Sequence, residues 1–258
     1  MIRWFINMLL TSLIFFPDKT FYETPEQYGL AWEDVYVQTQ DGVKLHGWYL
    51  EAKQAKGTVL FFHGNAGNIS SRLFKAKGWA DRGFSVFLID YRGYGKSEGK
   101  IEHEKDVLED AQAAFKWVTE TKKNSLTKIV LYGESLGTNP AIRLAAEHQV
   151  GAVILEAPFT TFYDLAHTHY PFVPKMLLKD FEFSNIDRIQ DIKAPLFMLH
   201  GTRDEICSYQ MGETLFQKAP EPKEFFTIPD GGHNDLPNVA GSDFWEKPYR
   251  FILNHQTS

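Results

Sequence analysis

A series of continuous apolar runs constrains the fold of this chain more than any other feature of its sequence. The runs read GTVLFFHG, FSVFLIDY, KIVLYG, GAVILEA, APLFMLHG and KEFFTIP, and an unbroken apolar run is typical of a strand covered on both faces. Amphipathic segments lie between the runs, and in HEKDVLEDAQAAFKWVTE one helical face carries Val107, Ala111, Ala114, Phe115 and Val118. Strands that alternate with helices predict an α/β fold with a mostly parallel central sheet and helices on both faces.

The segment after Pro17 begins with a different pattern. EDVYVQT and VKLHGWYLE flank the tripeptide Gln40-Asp41-Gly42, and Asp-Gly between alternating runs is typical of a hairpin. We therefore expect an antiparallel N-terminal hairpin at one edge of the sheet, within a single domain that spans 17–258. In such sheets, functional sites form in the loops at the carboxyl ends of the strands.

The charge and cysteine content exclude some classes of protein. The net charge is −6 and no cluster of Lys and Arg is present, which argues against a nucleic-acid partner because such proteins need a concentrated basic face. The single cysteine, Cys207, excludes an internal disulfide. A chain with a single cysteine fits a reducing compartment, and we therefore predict a cytoplasmic location.

The N-terminal segment, residues 1–16, reads MIRWFINMLLTSLIFF and carries one charge, Arg3. A membrane-spanning helix needs roughly 20 residues, and no small-residue cleavage site follows, which argues against a secretory signal. Two hypotheses stay open: a helix or arm packed on the domain, or a peripheral membrane anchor with Trp4, Phe5 and Phe15 at the interface. Under the second hypothesis, the protein would be cytoplasmic and associated with a membrane through this segment.

Two copies of the pattern G-x-S-x-G compete for the role of a nucleophile motif. One centres on Ser97 and the other on Ser135. A nucleophile elbow needs a strand that runs directly into the first glycine and a helix that starts at the serine. Ser135 meets both demands, because KIVLY precedes it and LGTNPAIRLAAEH follows it, with Pro140 tolerable only in the first turn. Ser97 lies in a glycine-rich loop several residues after its strand, so we predict Ser135 as the nucleophile.

A serine nucleophile needs a histidine as base and an acid that orients the histidine. Asp204 follows the strand APLFMLHG, and His233 follows the last strand, so both lie at the carboxyl ends of strands, in the chain order Ser, acid, His. Glu156, in VILEAPF, also follows a strand and is the alternative acid. Asp230 and Asp235 flank His233 closely and are interpreted as residues that brace its turn.

The oxyanion of an acyl transfer needs two backbone N–H donors. We predict the N–H of Leu136, directly after the nucleophile, and the N–H of Asn65 in the loop after TVLFFHG, with Ala66 as the alternate.

Four other histidines are not expected to take part in catalysis or metal binding. His167 and His169 form an H-x-H without a third ligand at a recognisable spacing, which does not indicate a metal site, and His63 and His200 are expected to hold loops through hydrogen bonds.

The motifs FFHGNAGNISSRL, LIDYRGYGKSEG, GESLG, LHGTRDE and IPDGGHND, in this order, resemble α/β-hydrolases of the Bem46 and ABHD13 type. The resemblance covers nearly the whole chain after Pro17. It implies the α/β-hydrolase fold, the triad Ser135, Asp204 and His233, and a family loop around Ser97. Members of this family commonly carry an N-terminal membrane anchor. The chain departs from the family at Thr138, Asn139 and Pro140, where small residues are usual.

The segment after LEAPF, about 159–190, is expected to form a short lid. It is rich in Phe, Tyr, Met and Leu, which fits core packing or an apolar wall over the site. The candidates for contact with substrate are Phe159, Phe162, Tyr163, Phe172 and Met176.

The predicted function is a serine hydrolase of esters or thioesters with an apolar, lipid-like acyl group, and it needs no cofactor. A serine peptidase acting on short peptides and a non-catalytic binding protein are the alternatives.

Overall fold

The computed structural model describes residues 11, 14–172 and 174–256. The chain divides into two units, Met1–Lys123 and Asn124–Ser258. The single domain over 17–258 stays a prediction, and most of residues 1–16, including Trp4 and Phe5, lie outside the described residues.

The first unit is a mixed α/β unit whose strands and helices follow the sequence patterns. Its strands are β1 (Phe16–Pro17), β2 (Trp32–Gln38), β3 (Lys44–Leu50), β4 (Thr58–Phe62), β5 (Ala66–Gly67) and β6 (Ser85–Ile89), and its helices are α1 (Leu73–Ala80) and α2 (Glu104–Lys116). The sheet order is β4-β6-β3-β2. β4 and β6 are parallel, whereas β3 is antiparallel to both β6 and β2. The predicted N-terminal hairpin is therefore confirmed, and Gly42 turns it with a φ of 88°.

Helix α2 buries the predicted apolar face. Val107, Ala111, Ala114 and Phe115 are all buried, and Val118 lies in the π turn Trp117–Thr121 that continues the helix. β1 and β5 form a separate two-stranded parallel ribbon in this unit, with Phe16 opposite Ala66.

The second unit carries a parallel sheet in the order β10-β9-β8-β7. Its strands are β7 (Ile129–Glu134), β8 (Ala152–Glu156), β9 (Leu196–Gly201) and β10 (Lys223–Ile228), and its helices are α3 (Thr138–Glu147), α4 (Phe162–His169), α5 (Tyr209–Lys218), α6 (Leu236–Ala240) and α7 (Asp243–His255). β7, β8 and β9 are buried along their whole length, which is why their sequences are continuously apolar.

Parallel pairing places the carboxyl ends of β7, β8, β9 and β10 at one edge of this sheet. The loops that leave this edge contain Ser135 after β7, Asp204 after β9 and His233 after β10. Within the described part of the chain, no helix has the length and apolar character needed to cross a membrane.

Candidate active site

Ser135 occupies a sharp turn between β7 and α3. Its backbone has a φ of 50°, a left-handed conformation that costs a non-glycine residue about 1–3 kcal/mol. A 3-10 turn, Ser135–Gly137, leads directly into α3. A Cβ atom at Gly133 would lie 2.4 Å from the carbonyl oxygen of Gly137, so the strand and the turn can approach this closely only because position 133 is glycine.

The helix after the turn holds the residues that depart from the family pattern. Pro140 lies in the first turn of α3, where its missing N–H removes no helical bond. Thr138 donates its hydroxyl hydrogen to the carbonyl of Ser135 at 2.6 Å. The amide of Asn139 donates to Oδ1 of Asn185 at 3.0 Å, and the amide of Asn185 donates to the carbonyl of Phe159 at 2.9 Å. The amide of Asn185 also donates to Oγ1 of Thr138 at 3.2 Å, so this residue of the predicted lid segment bonds the side chains at both positions 138 and 139.

Asp204 and His233 lie in contact although 29 residues separate them. Nδ1 of His233 is 2.8 Å from Oδ2 of Asp204, and the backbone N–H groups of Ile206 and Cys207 donate to Oδ1 at 2.9 and 2.8 Å. Burial on its own raises the pKa of Asp204, but the hydrogen bonds from His200 and His233 outweigh it and hold the pKa well below the usual value. The carboxyl group is therefore an anion at neutral pH, bonded to a histidine that is partly open to solvent.

The other acids near these loops have different partners. Glu156, the alternative acid, is buried and accepts the hydroxyl hydrogen of Tyr132 at 2.6 Å. Asp235 accepts from the N–H of Gly232 at 2.7 Å and so braces the turn before His233. Asp230 forms an exposed ion pair with Arg203 at 2.6 Å. Of the acids considered from the sequence, Asp204 is the one bonded to His233.

The hydroxyl of Ser135 lies beside Cys207. Its Oγ is 4.0 Å from Sγ of Cys207, and within the described residues no hydrogen bond joins Ser135 directly to His233. Burial and the charge of Asp204 raise the pKa of the Cys207 thiol despite the contact with Ser135, so the sulfur stays protonated. The contact of Cys207 with Ser135 has no signature in the sequence beyond the position of Cys207 three residues after Asp204 in a loop.

The two predicted oxyanion donors belong to different units. The N–H of Leu136 lies at the first turn of the helical segment, where the backbone N–H groups have no intrahelical acceptor. In the first unit, the side chain of Asn65 donates to the carbonyl of Ile14 at 2.5 Å, and the hydroxyl of Tyr94 donates to the carbonyl of Asn65 at 2.7 Å. The backbone N–H of Asn65 finds no acceptor among the residues that the structure describes. The alternate, Ala66, lies in β5.

Ser97, the serine of the first G-x-S-x-G, is buried in the first unit and has a different environment. It accepts from the N–H of His46 at 2.8 Å and donates to the carbonyl of Asp90 at 2.8 Å. Lys19 donates to its carbonyl at 2.9 Å. Its hydroxyl therefore ties β3 to the end of β6 and is not available to a substrate.

The predicted lid residues are dispersed. Phe159 is fully buried, Phe162 and Tyr163 are half-buried, and Phe172 and Met176 are 95% and 74% exposed. A cavity of about 370 Å³ lies within the lid segment. Its wall consists of Thr161, Tyr163, Lys175, Met176, Leu178, Lys179, Phe181, Glu182, Ser184 and Asp187. Tyr163 and Met176 thus line a cavity, Phe162 packs on Phe183 with ring centroids 5.9 Å apart, and Phe172 projects into solvent.

The remaining histidines make structural contacts. Nδ1 of His63 is 2.6 Å from the carbonyl of Gly64, and Nε2 of His200 is 2.8 Å from the carbonyl of Cys207. His167 stacks on Tyr163, and His169 bonds the carbonyl of Ile206 at 3.0 Å. In the described residues, no group of three or more His, Cys, Asp or Glu side chains is arranged to hold a metal ion.

Comparison with known proteins places the chain in a family. A family model described as serine aminopeptidase, S33, matches residues 53–182, about half of the chain. The protein bem46 of Schizosaccharomyces pombe is 35% identical over 222 residues, which cover 82% of this chain and 74% of that protein. The α/β-hydrolase domain-containing protein WAV2 of Arabidopsis thaliana is 32% identical over 255 residues, which cover 91% of this chain and 82% of that protein.

Solved structures support the same fold. The esterase Pf2001 of Pyrococcus furiosus superposes with a TM-score of 0.80 at 20% sequence identity, covering 95% of this chain and 98% of that chain. At this identity the likeness shows the fold alone, and it confirms the predicted mostly parallel sheet with its antiparallel N-terminal strands. The chain therefore belongs to the α/β-hydrolase family, in its Bem46-like group.

Proposed function

We propose that this protein is a serine hydrolase that cleaves carboxylic esters or thioesters with an apolar acyl group, through an acyl-enzyme on Ser135. The observation that carries the proposal is the 2.8 Å bond between His233 and Asp204. A carboxylate bonded to Nδ1 fixes the imidazole tautomer and leaves Nε2 free to accept a proton. The turn that holds Ser135 lies at the carboxyl end of β7, at the same edge of the sheet, and in the proposal it supplies the nucleophile for that base.

The proposed reaction follows from these residues. The Ser135 hydroxyl turns from Cys207 towards Nε2 of His233, which takes its proton while Oγ attacks the acyl carbonyl. Catalytic hydrogen bonds are often formed only when substrate is bound, so the resting contact with Cys207 is compatible with this step. The oxyanion accepts a hydrogen bond from the N–H of Leu136, and the N–H of Asn65 stays a sequence-based prediction for the second donor. His233 then protonates the leaving alcohol or thiol, and water, deprotonated by the same histidine, releases the acid.

The lining of the cavity in the predicted lid segment supports the proposed substrate class. Tyr163, Met176, Leu178 and Phe181 give its cavity an apolar part, and Lys175 and Lys179 lie on its wall. An apolar acyl chain fits such a lining, because burial of each methylene group contributes about 0.8 kcal/mol. Contact of the acyl chain with Tyr163 and Met176 is part of the proposal.

Hydrolysis of p-nitrophenyl esters and matched thioesters of graded acyl length tests the reaction class. We expect turnover that rises with acyl length up to the capacity of the lid cavity, and loss of turnover in Ser135→Ala. Ser97→Ala is the matched control, because it removes a hydroxyl from the same motif outside the proposed site. Full esterase activity in folded Ser135→Ala would contradict the proposal.

A lid variant tests the acyl contact separately. Tyr163→Ala should shift the preferred acyl length, because it enlarges a wall of the cavity, whereas Phe172→Ala should leave the preference unchanged, because Phe172 is 95% exposed and lies outside that wall. An unchanged preference in Tyr163→Ala would remove the lid cavity from the proposal and leave the reaction class intact.

A serine peptidase acting on short peptides is the second candidate. It is favoured by the matched family model, whose description is serine aminopeptidase, S33, and the same triad can cleave amides. Aminoacyl p-nitroanilides compared with p-nitrophenyl esters at equal enzyme concentration discriminate between the two. Faster cleavage of the anilides would replace the esterase proposal by the peptidase one.

A further inference from the structure

His200 approaches the same carboxylate oxygen of the proposed acid as His233 does. It lies near the end of β9 and is fully buried. Its Nε2 is 2.8 Å from the carbonyl of Cys207 and 3.2 Å from Oδ2 of Asp204. A carbonyl oxygen can only accept a hydrogen bond, so Nε2 of His200 carries the hydrogen and shares it between the loop carbonyl and the carboxylate.

The other edge of the ring faces α5. A Cβ atom at Gly212 would lie 2.3 Å from Nδ1 of His200, so the helix can pass over the ring at this distance only without a side chain. Tyr209, on the same helix, meets the ring edge-on at 5.8 Å between centroids. Nδ1 of His200 is buried and has no acceptor within the described residues, and a hydrogen there would be an unpaired buried donor. The geometry therefore fits a neutral ring protonated at Nε2.

Four N–H groups approach the carboxylate of Asp204, two at each oxygen. Ile206 and Cys207 donate backbone N–H groups to Oδ1, while His233 and His200 approach Oδ2 at 2.8 and 3.2 Å. Without His200, Oδ1 would keep its two backbone donors, and Oδ2 would be held by His233 alone. The position of Oδ2 would then depend on the same histidine that the carboxylate directs.

We propose that His200 is a positioning residue for the hydrolase reaction, which holds the Asp204 carboxylate in the orientation that directs His233, while touching neither substrate nor Ser135. This inference rests on the proposed function. It makes the acid of the site part of a His–Asp–His arrangement in which only His233 reaches the solvent side and exchanges protons with the reactants.

The matched variants His200→Gln and His200→Asn test this role. The amide of Gln can reach the position of Nε2 and donate to Oδ2, whereas the shorter Asn cannot. We expect His200→Gln to keep kcat for a p-nitrophenyl ester within about threefold of wild type, and His200→Asn to lose roughly 10- to 100-fold, since small misplacements of a catalytic group have effects of this size. The KM should stay the same in both.

The pH profile separates positioning from simple loss of structure. The ionisable groups that face Asp204 are His233, His200 and the thiol of Cys207, and Tyr209 faces His200 from α5. With one donor fewer on Oδ2, the carboxylate attracts the His233 imidazolium more strongly. The acid limb of kcat/KM should therefore move to higher pH in His200→Asn and stay in place in His200→Gln. Equal kcat and equal limbs in the two variants would overturn the inference.

Nuclear magnetic resonance of the imidazole nitrogens gives a readout that does not depend on activity. The wild-type spectrum should show His200 protonated at Nε2, and the resonances of the His233 ring nitrogens should shift in His200→Asn and stay in place in His200→Gln. A hydrogen on Nδ1 of His200, or identical His233 resonances in the two variants, would overturn the inference even in an active enzyme. An inactive wild type with the expected spectra would instead reject the proposed function and leave the arrangement of the three side chains standing.

Discussion

Ser97 and Ser135 share the pattern G-x-S-x-G and differ in what holds their hydroxyl groups. Ser135 has a left-handed backbone at the start of a helix, and Ser97 is bonded on both sides to backbone groups of β3 and of the residue after β6. The sequence could distinguish them because strand and helix patterns flank only Ser135. It could not show Cys207 beside Ser135, because that contact joins residues 72 positions apart.

Ser97→Ala should destabilise the fold and leave the chemistry intact. The change leaves two buried backbone groups, the N–H of His46 and the carbonyl of Asp90, without their hydrogen-bond partner. It should therefore lower the free energy of unfolding by about 2–4 kcal/mol. Chemical denaturation measures this loss, with the exposed Ser125→Ala as a control expected within about 0.5 kcal/mol of wild type. Esterase activity per folded molecule should be that of wild type, and a selective loss of activity would contradict the structural role of Ser97.

Asp204→Asn should lower kcat by about 10³- to 10⁴-fold without unfolding the protein. The amide oxygen can still accept from Ile206 and Cys207, but it no longer holds His233 in the required tautomer. The control is Asp230→Asn, which removes an exposed charge paired with Arg203 and should leave kcat within about twofold, since exposed pairs contribute little. Equal activity of the two variants would remove Asp204 from the proposed triad.

The acid limb of wild-type activity should reflect the uptake of a single proton. Because the pKa of Asp204 is held well below its usual value, its carboxylate stays ionised throughout the range in which an imidazole titrates. The profile of kcat/KM against pH should therefore fall with a slope of one on the acid side. A slope of two in that range would indicate that Asp204 takes up a proton together with His233.

At the scale of elements, local sequence patterns predicted the helices and strands. The same patterns did not predict the polar contacts between residues far apart in the chain. The apolar periodicity of α2 was confirmed because its buried face meets the core of its own unit. Asn185 gave no sequence signal, although its side chain links the lid to α3 through Asn139 and to the carbonyl of Phe159. Such a contact depends on the path of the lid, which composition alone does not fix.

Asn185→Ala should therefore loosen the predicted lid segment, residues 159–190. It removes the partners of Asn139 and of the carbonyl of Phe159, all buried, and should lower the free energy of unfolding by about 2–4 kcal/mol. Ser184→Ala, at the neighbouring position, removes an exposed bond to Asp187 and should change stability by less than about 0.5 kcal/mol. Hydrogen exchange of residues 160–190 provides a second readout, and unchanged protection in Asn185→Ala would contradict the link.

At the scale of the whole molecule, several carboxyl groups stabilise the folded state in their ionised form. The hydrogen bond from Arg92 lowers the pKa of Asp41 to about 2. Asp90 and Asp204 also have lowered pKa values, because bonds from histidines outweigh their burial. A carboxyl group whose pKa is lower in the folded state stabilises the fold above its unfolded pKa, 3.8 for Asp, and this contribution is lost as pH falls through the folded value.

The free energy of unfolding should accordingly decrease as pH falls from about 4 to about 2. Urea denaturation at fixed ionic strength across this window measures the decrease, and Asp41→Asn should give a shallower one because its contribution is absent at every pH. Constant or rising stability between these values would contradict the assignment of ionised, bonded carboxylates.

Identifying the residue modified by a fluorophosphonate probe tests the central claim, that Ser135 is the nucleophile, most directly. Peptide mass spectrometry should locate a single adduct on Ser135 in the wild-type protein, retain it in Ser97→Ala and lose it in Ser135→Ala. An adduct on Ser97 or on another residue would contradict the account. Absence of any adduct on the folded wild type would favour a binding protein with this fold over an enzyme.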